Sequence, residues 1–389
     1  MTFDLVVSGG RLVGGGAPLA GAHADIGVAG GRIAAVGDLA GAEAKVRLEA
    51  AGWYVSAGWI DLHVHLGPGF GQGEGLDPDA DAGVATGVTT AVDAGTVGAA
   101  EYEAWAERVA RPSATRLLAF LNISADTRRR PVHGDVANLD VRRAVDLLRA
   151  DAGGRLVGVK VLASQSHCGP AGFLPVERAV EAARQSGTRV MAHIGHAPPA
   201  LAEVLARLEE GDIVTHAWHG KPGGVLDEVG EVRAAVRQAL ARGVRFDLGH
   251  GSASFSFAVA ARARAAGMPL ATASTDLHRP NHAAGPVFDL ATTMSKLLHV
   301  GYGLAEVVDM VTVRAAESLG REGELGRVAV GREADLTLFE VVEGDWAVRD
   351  AEGEEAHLTR RILPRRTVRA GRLFPCRDVP AGGEGCAPG

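Results

Sequence analysis

Between Gly58 and Leu319 the chain repeats one texture: a short apolar run, then a stretch rich in Ala, Glu and Arg with helical spacing. Eight such runs stand out: Trp59–His65, Val88–Ala94, Arg116–Ile123, Leu156–Leu162, Arg189–Ile194, Ile213–His216, Val244–Leu248 and Leu270–Asp276. Helical segments such as Val176–Arg184, Ala200–Glu209 and Glu231–Arg242 lie between them, and Gly187, Gly243 and Gly267 punctuate helix ends. Runs that are apolar on both faces and separated by helices belong to parallel sheets. Eight strand–helix pairs over about 260 residues predict an α/β fold of the (β/α)8 TIM-barrel type. An open doubly wound sheet with fewer strands is the alternative, because short apolar runs are ambiguous.

The ends of the chain read differently. DLVVSGGRLV, ADIGVAGGRIAAVG and KVRLEAAGWYVS before Gly58, and GRVAVGREADLTLFEVV and RRTVRAGRLF after about Gly323, are short strands with glycine turns. Neither end has enough strands for a core of its own. The two are expected to pair into one small composite β-sandwich (residues 1–57 and 323–375) flanking a barrel over 58–322, with a flexible Gly/Pro-rich tail over 376–389.

Bulk composition narrows the function classes. Hydrophobic residues make up 47% and charged residues 22%, ordinary for a soluble globular protein, and the net charge of -7 comes without a basic block. A nucleic-acid footprint is therefore absent, and no window reaches the ~18 apolar residues of a membrane span. Cys168, Cys376 and Cys386 are too few and too scattered for a disulfide framework or a cysteine zinc site. MTFDLVVSGGRLV carries no signal-peptide pattern, so the expected compartment is cytoplasmic.

Active sites of such barrels lie at the C-terminal ends of the strands. The first run ends in His63-Val64-His65, and alternation along a strand puts both imidazoles on one side. The fourth carries Lys160 in GVKVLAS, the fifth His193, the sixth His216, and the eighth ends in Asp276. Each has an ordinary reading: a hydrogen-bonded core histidine, or an aspartate capping a helix after Ser-Thr. Six ligand-type residues at five strand ends together outweigh those readings. Four histidines, an aspartate and a lysine suit a pair of divalent ions, Zn²⁺ first. Lysine as ammonium has no lone pair, but the carbamate formed from its neutral amine and CO₂ is a bidentate ligand.

The set Gly58–His65, Lys160, His193, His216 and Asp276 resembles the amidohydrolase superfamily in its binuclear, carboxylated-lysine branch. THAWHGK, FDLGHG and STDLH look most like its deacetylase group. The resemblance implies that His63, His65 and Asp276 hold one metal, that His193 and His216 hold the second, and that carboxylated Lys160 bridges them. It further implies that a bridging hydroxide cleaves an amide or ester of a small acylated acid, with Asp276 shuttling its proton. Asp61 would orient a ligand or serve as an ordinary hydrogen-bonding group.

Two departures shape that expectation. Dihydroorotases carry an arginine two residues after the second histidine, where this chain has Gly67; a cyclic amidohydrolase (hydantoinase- or dihydroorotase-like) is thus the second choice. Related N-acyl-D-amino-acid deacylases bridge their metals with cysteine, a role Cys168 is not placed to fill. A non-catalytic scaffold is disfavoured, since no ligand has been lost. Substrate contacts are expected from loop residues: Asn122, His219, Lys221, His250, Ser252 and Arg279, with His282 nearby. His250, flanked by glycines, is the first choice. His167 and His196 fit no ligand slot, and His23, His133, His299 and His357 are expected to be structural or on the surface. Related barrels commonly associate, so a homo-oligomer is compatible.

Overall fold

The computed structural model describes residues 2–67 and 75–377. Five strands open the chain: β1 (Phe3–Leu12), β2 (His23–Ala29), β3 (Arg32–Gly37), β4 (Ala44–Glu49) and β5 (Tyr54–Ala57). Seven follow in the middle: β6 (Trp59–Val64), β7 (Val88–Gly98), β8 (Arg116–Asn122), β9 (Leu156–Ala163), β10 (Arg189–Ile194), β11 (Ile213–Thr215) and β12 (Arg245–Phe246). Three close it: β13 (Leu336–Arg349), β14 (Glu355–Arg369) and β15 (Arg372–Pro375).

Strands β6 to β12 stand side by side in chain order, every neighbouring pair parallel. All residues of β6, β7 and β9 are buried, as strands covered on both faces must be. The eighth run, Leu270–Asp276, forms no strand of its own, yet it joins the two edges of the sheet. Parallel bridges link Asp247 to Thr272 and Val64 to Leu277. Leu248 N donates to Thr272 O (3.0 Å), and Asp276 N to His63 O (2.7 Å). Asp276, at the end of the run, takes a left-handed φ of 51°, outside the extended region. The helices between strands match the expected positions, although Ala200–Glu209 is helical only over Leu201–Leu205.

The two chain ends do pair. β13 runs antiparallel to β5, from Leu336 opposite Ala57 to Phe339 opposite Tyr54. Among the described residues the result is one continuous eight-stranded sheet, ordered β15-β14-β13-β5-β1-β2-β3 with β4 on β1, in place of two separate facing sheets. It curls enough for Ile33 N to reach Arg332 O (2.9 Å). Leu5, Ile26, Val55, Leu336 and Val368 fill a core distinct from that of the parallel sheet.

The long β13–β14 hairpin brings this sheet to the loops after the barrel strands. Ala351 N donates to Phe255 O (2.9 Å), and Asp350 Oδ2 accepts from Phe257 N (2.9 Å) at the start of helix Phe257–Ala265. Of the tail expected over 376–389, residues 378 onward lie outside the described residues; Arg377 N still bonds Ala85 O (2.9 Å). Among the described residues no helix is long and apolar enough to cross a membrane.

Candidate metal centre

Five parallel-sheet elements deliver ligand-type side chains to one place. His63 and His65 come from the end of β6, Lys160 from β9, His193 from β10, His216 directly after β11, and Asp276 from the closing segment. Asp276 Oδ1 lies 3.0 Å from His65 Nε2 and 3.3 Å from His63 Nε2, while Oδ2 lies 3.9 Å from His216 Nε2. Ligand atoms of His63, His216 and Asp276 all fall within 4.8 Å of one another. Lys160 Nζ is 2.9 Å from His63 Nε2. The His193 and His216 rings meet edge to face at 4.3 Å. All six expected ligands are therefore in one cluster.

Hydrogen bonds on the far side of the rings decide what faces inward. His216 Nδ1 is 2.6 Å from Gly249 O, a pure acceptor, so that nitrogen carries the proton. Its Nε2 then presents a lone pair, and this buried atom has no hydrogen-bond partner. An unpartnered buried acceptor beside an aspartate is costly unless a cation completes it. His65 Nδ1 is 2.8 Å from Thr96 Oγ1, and His63 Nδ1 is 3.0 Å from Thr215 Oγ1. Such outer partners are what orient metal-binding imidazoles. The donor set fits divalent ions.

The electrostatics agree. Burial holds the His63 and His193 imidazoles well below their ordinary range, and takes His216 down to about 3, so all three are neutral. Burial alone would raise the Asp276 carboxyl, yet it lies well below its ordinary range, because the imidazoles gathered round it, His65 by a hydrogen bond, outweigh burial. Burial lowers the Lys160 amine to about 8, against the pull of Asp276, Asp247 and Asp93. Both His216 (φ 71°) and Asp276 (φ 51°) occupy left-handed backbone, strain of the kind that accumulates at functional sites.

Expected substrate contacts divide into two groups. Lys221 is half-buried beside the cluster, its Nζ 3.4 Å from Ser254 Oγ. Burial lowers its amine, while Asp276 and Glu352 pull it back up. His219 Nδ1 accepts from Lys221 N (3.1 Å) and shapes that loop. Ser252 is exposed, with Oγ 3.2 Å from His278 Nε2, and Arg279 is exposed, donating to Gly75 O (2.8 Å). The other two are turned inward. Asn122 Nδ2 donates to Gly95 O (2.9 Å) and Oδ1 accepts from Ser124 N (2.9 Å), bracing the backbone behind Lys160.

His250 is fully buried, with Nδ1 3.0 Å from Gly251 O and Nε2 2.9 Å from Lys296 Nζ. The flanking glycines do permit close approach, but what comes close is the wall of the cluster, Thr215 and Asp276. A Cβ on Gly249 would stand 2.1 Å from Thr215 Oγ1, and one on Gly251 2.4 Å from Asp276 Oδ2, at φ values of 50° and 56°.

Lys296 was not foreseen. Its ammonium donors reach His250 Nε2, Pro286 O (2.7 Å) and Arg349 O (2.6 Å), tying two loops and the hairpin to helix Leu290–Val300. His278 Nδ1 donates to Asp276 O (2.9 Å), and its place two residues after Asp276 was the available signal. His167, held by Ser164 (2.8 Å) and Ser166 (3.1 Å), packs edge-on against His193 at 5.3 Å. Asp61 turns out to accept from Thr275 Oγ1 (2.6 Å) and from the backbone N of His63 (3.3 Å), fastening the closing segment to β6. Cys168 Sγ donates to Leu162 O (3.3 Å), and burial raises its thiol to about 11. His133 is buried between Ser124 and Leu162 N, a structural role as expected.

Comparison with known proteins agrees with this architecture. Residues 54–357 match the amidohydrolase family. A deacetylase from Agrobacterium fabrum is 37% identical over 344 residues, covering 87% of this chain and 83% of the relative. Two solved structures superpose over nearly the whole chain. One, described as an adenine deaminase, is 34% identical with a TM-score of 0.88, covering 96% of this chain and 100% of that one. The other, described as a dihydroorotase, is 34% identical with a TM-score of 0.86, covering 97% and 99%.

Proposed function

The chain belongs to the amidohydrolase family and is a hydrolase, and from that premise we propose that it removes the acyl group from small acylated acids, cleaving an amide or ester. His63, His65, Lys160, His193, His216 and Asp276 would hold two divalent ions, Zn²⁺ first, with Lys160 as its carbamate. The observation that carries this reading is the convergence of the His63, His65 and His216 imidazoles on the Asp276 carboxylate, with a buried Nε2 of His216 left without a partner. Ions bound there supply water activated near neutral pH and a Lewis acid for the scissile carbonyl.

The chain's own residues do the rest. Asp276 stays a carboxylate in the resting site, so Oδ1 or Oδ2 is free to take the proton of the attacking water and pass it to the departing amine or alkoxide. Lys160, pushed down to about 8 by burial, offers the neutral amine that CO₂ requires. Lys221 supplies the cation that receives the acid group of the substrate; its half-buried ammonium faces the field of Asp276. His278 stands beside the cluster, its ring 6.4 Å from that of His65, with Nε2 3.2 Å from Ser252 Oγ.

A second reading, hydrolysis of a cyclic amide, is favoured by the likeness to the structure described as a dihydroorotase. A panel of N-acetyl-D- and L-amino acids, O-acetyl hydroxy acids, hydantoins and dihydroorotate, run with and without added divalent metal, separates the two. Metal-dependent turnover of the acylated acids supports the proposal. Turnover of the rings alone overturns it.

A further inference from the structure

Behind the cluster lies a carboxylate that no ligand role requires. Asp247 follows β12 and is fully buried. It accepts from three hydroxyls: Thr215 Oγ1 to Oδ2 (2.7 Å), Ser274 Oγ to Oδ2 (2.6 Å) and Thr272 Oγ1 to Oδ1 (2.7 Å). Burying a carboxylate is costly, and three short charge-assisted bonds at the seam of the barrel are the compensation.

Thr215 links this carboxylate to the site. Its Oγ1 also lies 3.0 Å from His63 Nδ1. A hydroxyl has one proton to give and lone pairs with which to accept. Because that proton goes to Asp247, Thr215 Oγ1 is left to accept from His63, which must then carry its hydrogen on Nδ1. The lone pair of His63 falls on Nε2, the nitrogen 3.3 Å from Asp276 Oδ1. Without the carboxylate the Thr215 hydroxyl could turn and donate to Nδ1. That favours the opposite tautomer, with an N–H aimed at the cluster where a lone pair is needed.

We propose that Asp247, acting through Thr215, is a positioning residue that fixes the tautomer of His63 and so prepares it to bind metal. The inference rests on the reading of His63 as a ligand. It adds a three-residue chain, carboxylate to hydroxyl to imidazole, that spans β12, β11 and β6.

The test uses the whole protein loaded with cobalt(II), and reads affinity by chelator competition together with the visible ligand-field spectrum. Thr215→Val, which keeps shape and removes the hydroxyl, is expected to weaken the first-bound cobalt by about 10–100-fold and to alter its spectrum. Thr215→Ser is expected to restore both. Asp247→Asn should behave like Thr215→Val; if that variant does not fold, the Val/Ser pair decides alone. Wild-type affinity and spectrum in Thr215→Val would overturn the inference while leaving the metal reading intact. A wild-type protein that binds no cobalt would overturn the metal reading itself.

Discussion

Nζ of Lys160 lies 2.9 Å from Nε2 of His63, at the end of a lysine side chain wholly enclosed by the barrel. An ammonium there would sit against imidazoles that must stay neutral, and burial lowers the amine to about 8. The protonated form therefore gives way to the neutral one as pH rises through that value, and only the neutral amine adds CO₂. In metal-stripped protein, uptake of ¹³C-bicarbonate as a single carbamate signal is expected to rise between about pH 7 and about pH 9. The signal should vanish in Lys160→Met, with kcat/KM lowered by about 100-fold or more. A carbamate signal unchanged in that variant would place the modification elsewhere.

Gly251 and Gly267 both hold left-handed backbone, at φ 56° and 72°, but only Gly251 presses on the cluster. A Cβ at Gly251 would meet Asp276 Oδ2 at 2.4 Å, whereas nothing lies within 4 Å of one at Gly267. Gly267→Ala is expected to cost about 1 kcal/mol of stability from backbone strain and to leave turnover unchanged. Gly251→Ala adds displacement of Asp276 to a strain of about 1–3 kcal/mol, so both stability and bound metal should fall. Thermal unfolding beside metal analysis of the two variants checks the contrast.

Lys221 is assigned to the acid group of the substrate, so its loss should appear in binding more than in chemistry. Removing a hydrogen bond to a charged group is worth about 1.5–3 kcal/mol, which corresponds to a rise of about 10–150-fold in KM. Lys221→Gln is expected to show that rise for acylated acids, with kcat within about twofold. The neutral carboxamide analogues should be unaffected. Equal losses on acids and amides would reassign Lys221 to a structural role.

The clustering of the six expected ligands was legible in the sequence because it depends on local pattern: strands of a parallel sheet end at one face, and the residue at each end can be read off. Closure by the eighth run was legible too, although it is made by isolated bridges instead of a regular strand. Pairing of β5 with β13 followed from the shared texture of the two ends, while the course of the sheet depends on its curl, which texture does not encode. His250 shows where local reading stops. Its glycines do mark a close approach, but only the tertiary arrangement reveals that the neighbours are Thr215 and Asp276, and that the ring turns toward Lys296. Thr215 and Asp247 stand inside THAWHGK and FDLGHG, but nothing in those runs marks a link between them, since a threonine and an aspartate at strand ends are common and the two lie 32 residues apart.

The central claim is that His63, His65, Lys160, His193, His216 and Asp276 form a metal centre on which hydrolysis depends. Metal content and turnover of an acylated acid, measured on the same preparation before and after chelation, test it most directly. Two divalent ions per chain are expected, with loss of turnover when they are removed and recovery when Zn²⁺ is returned with bicarbonate. Full turnover in protein shown to be free of metal would contradict it.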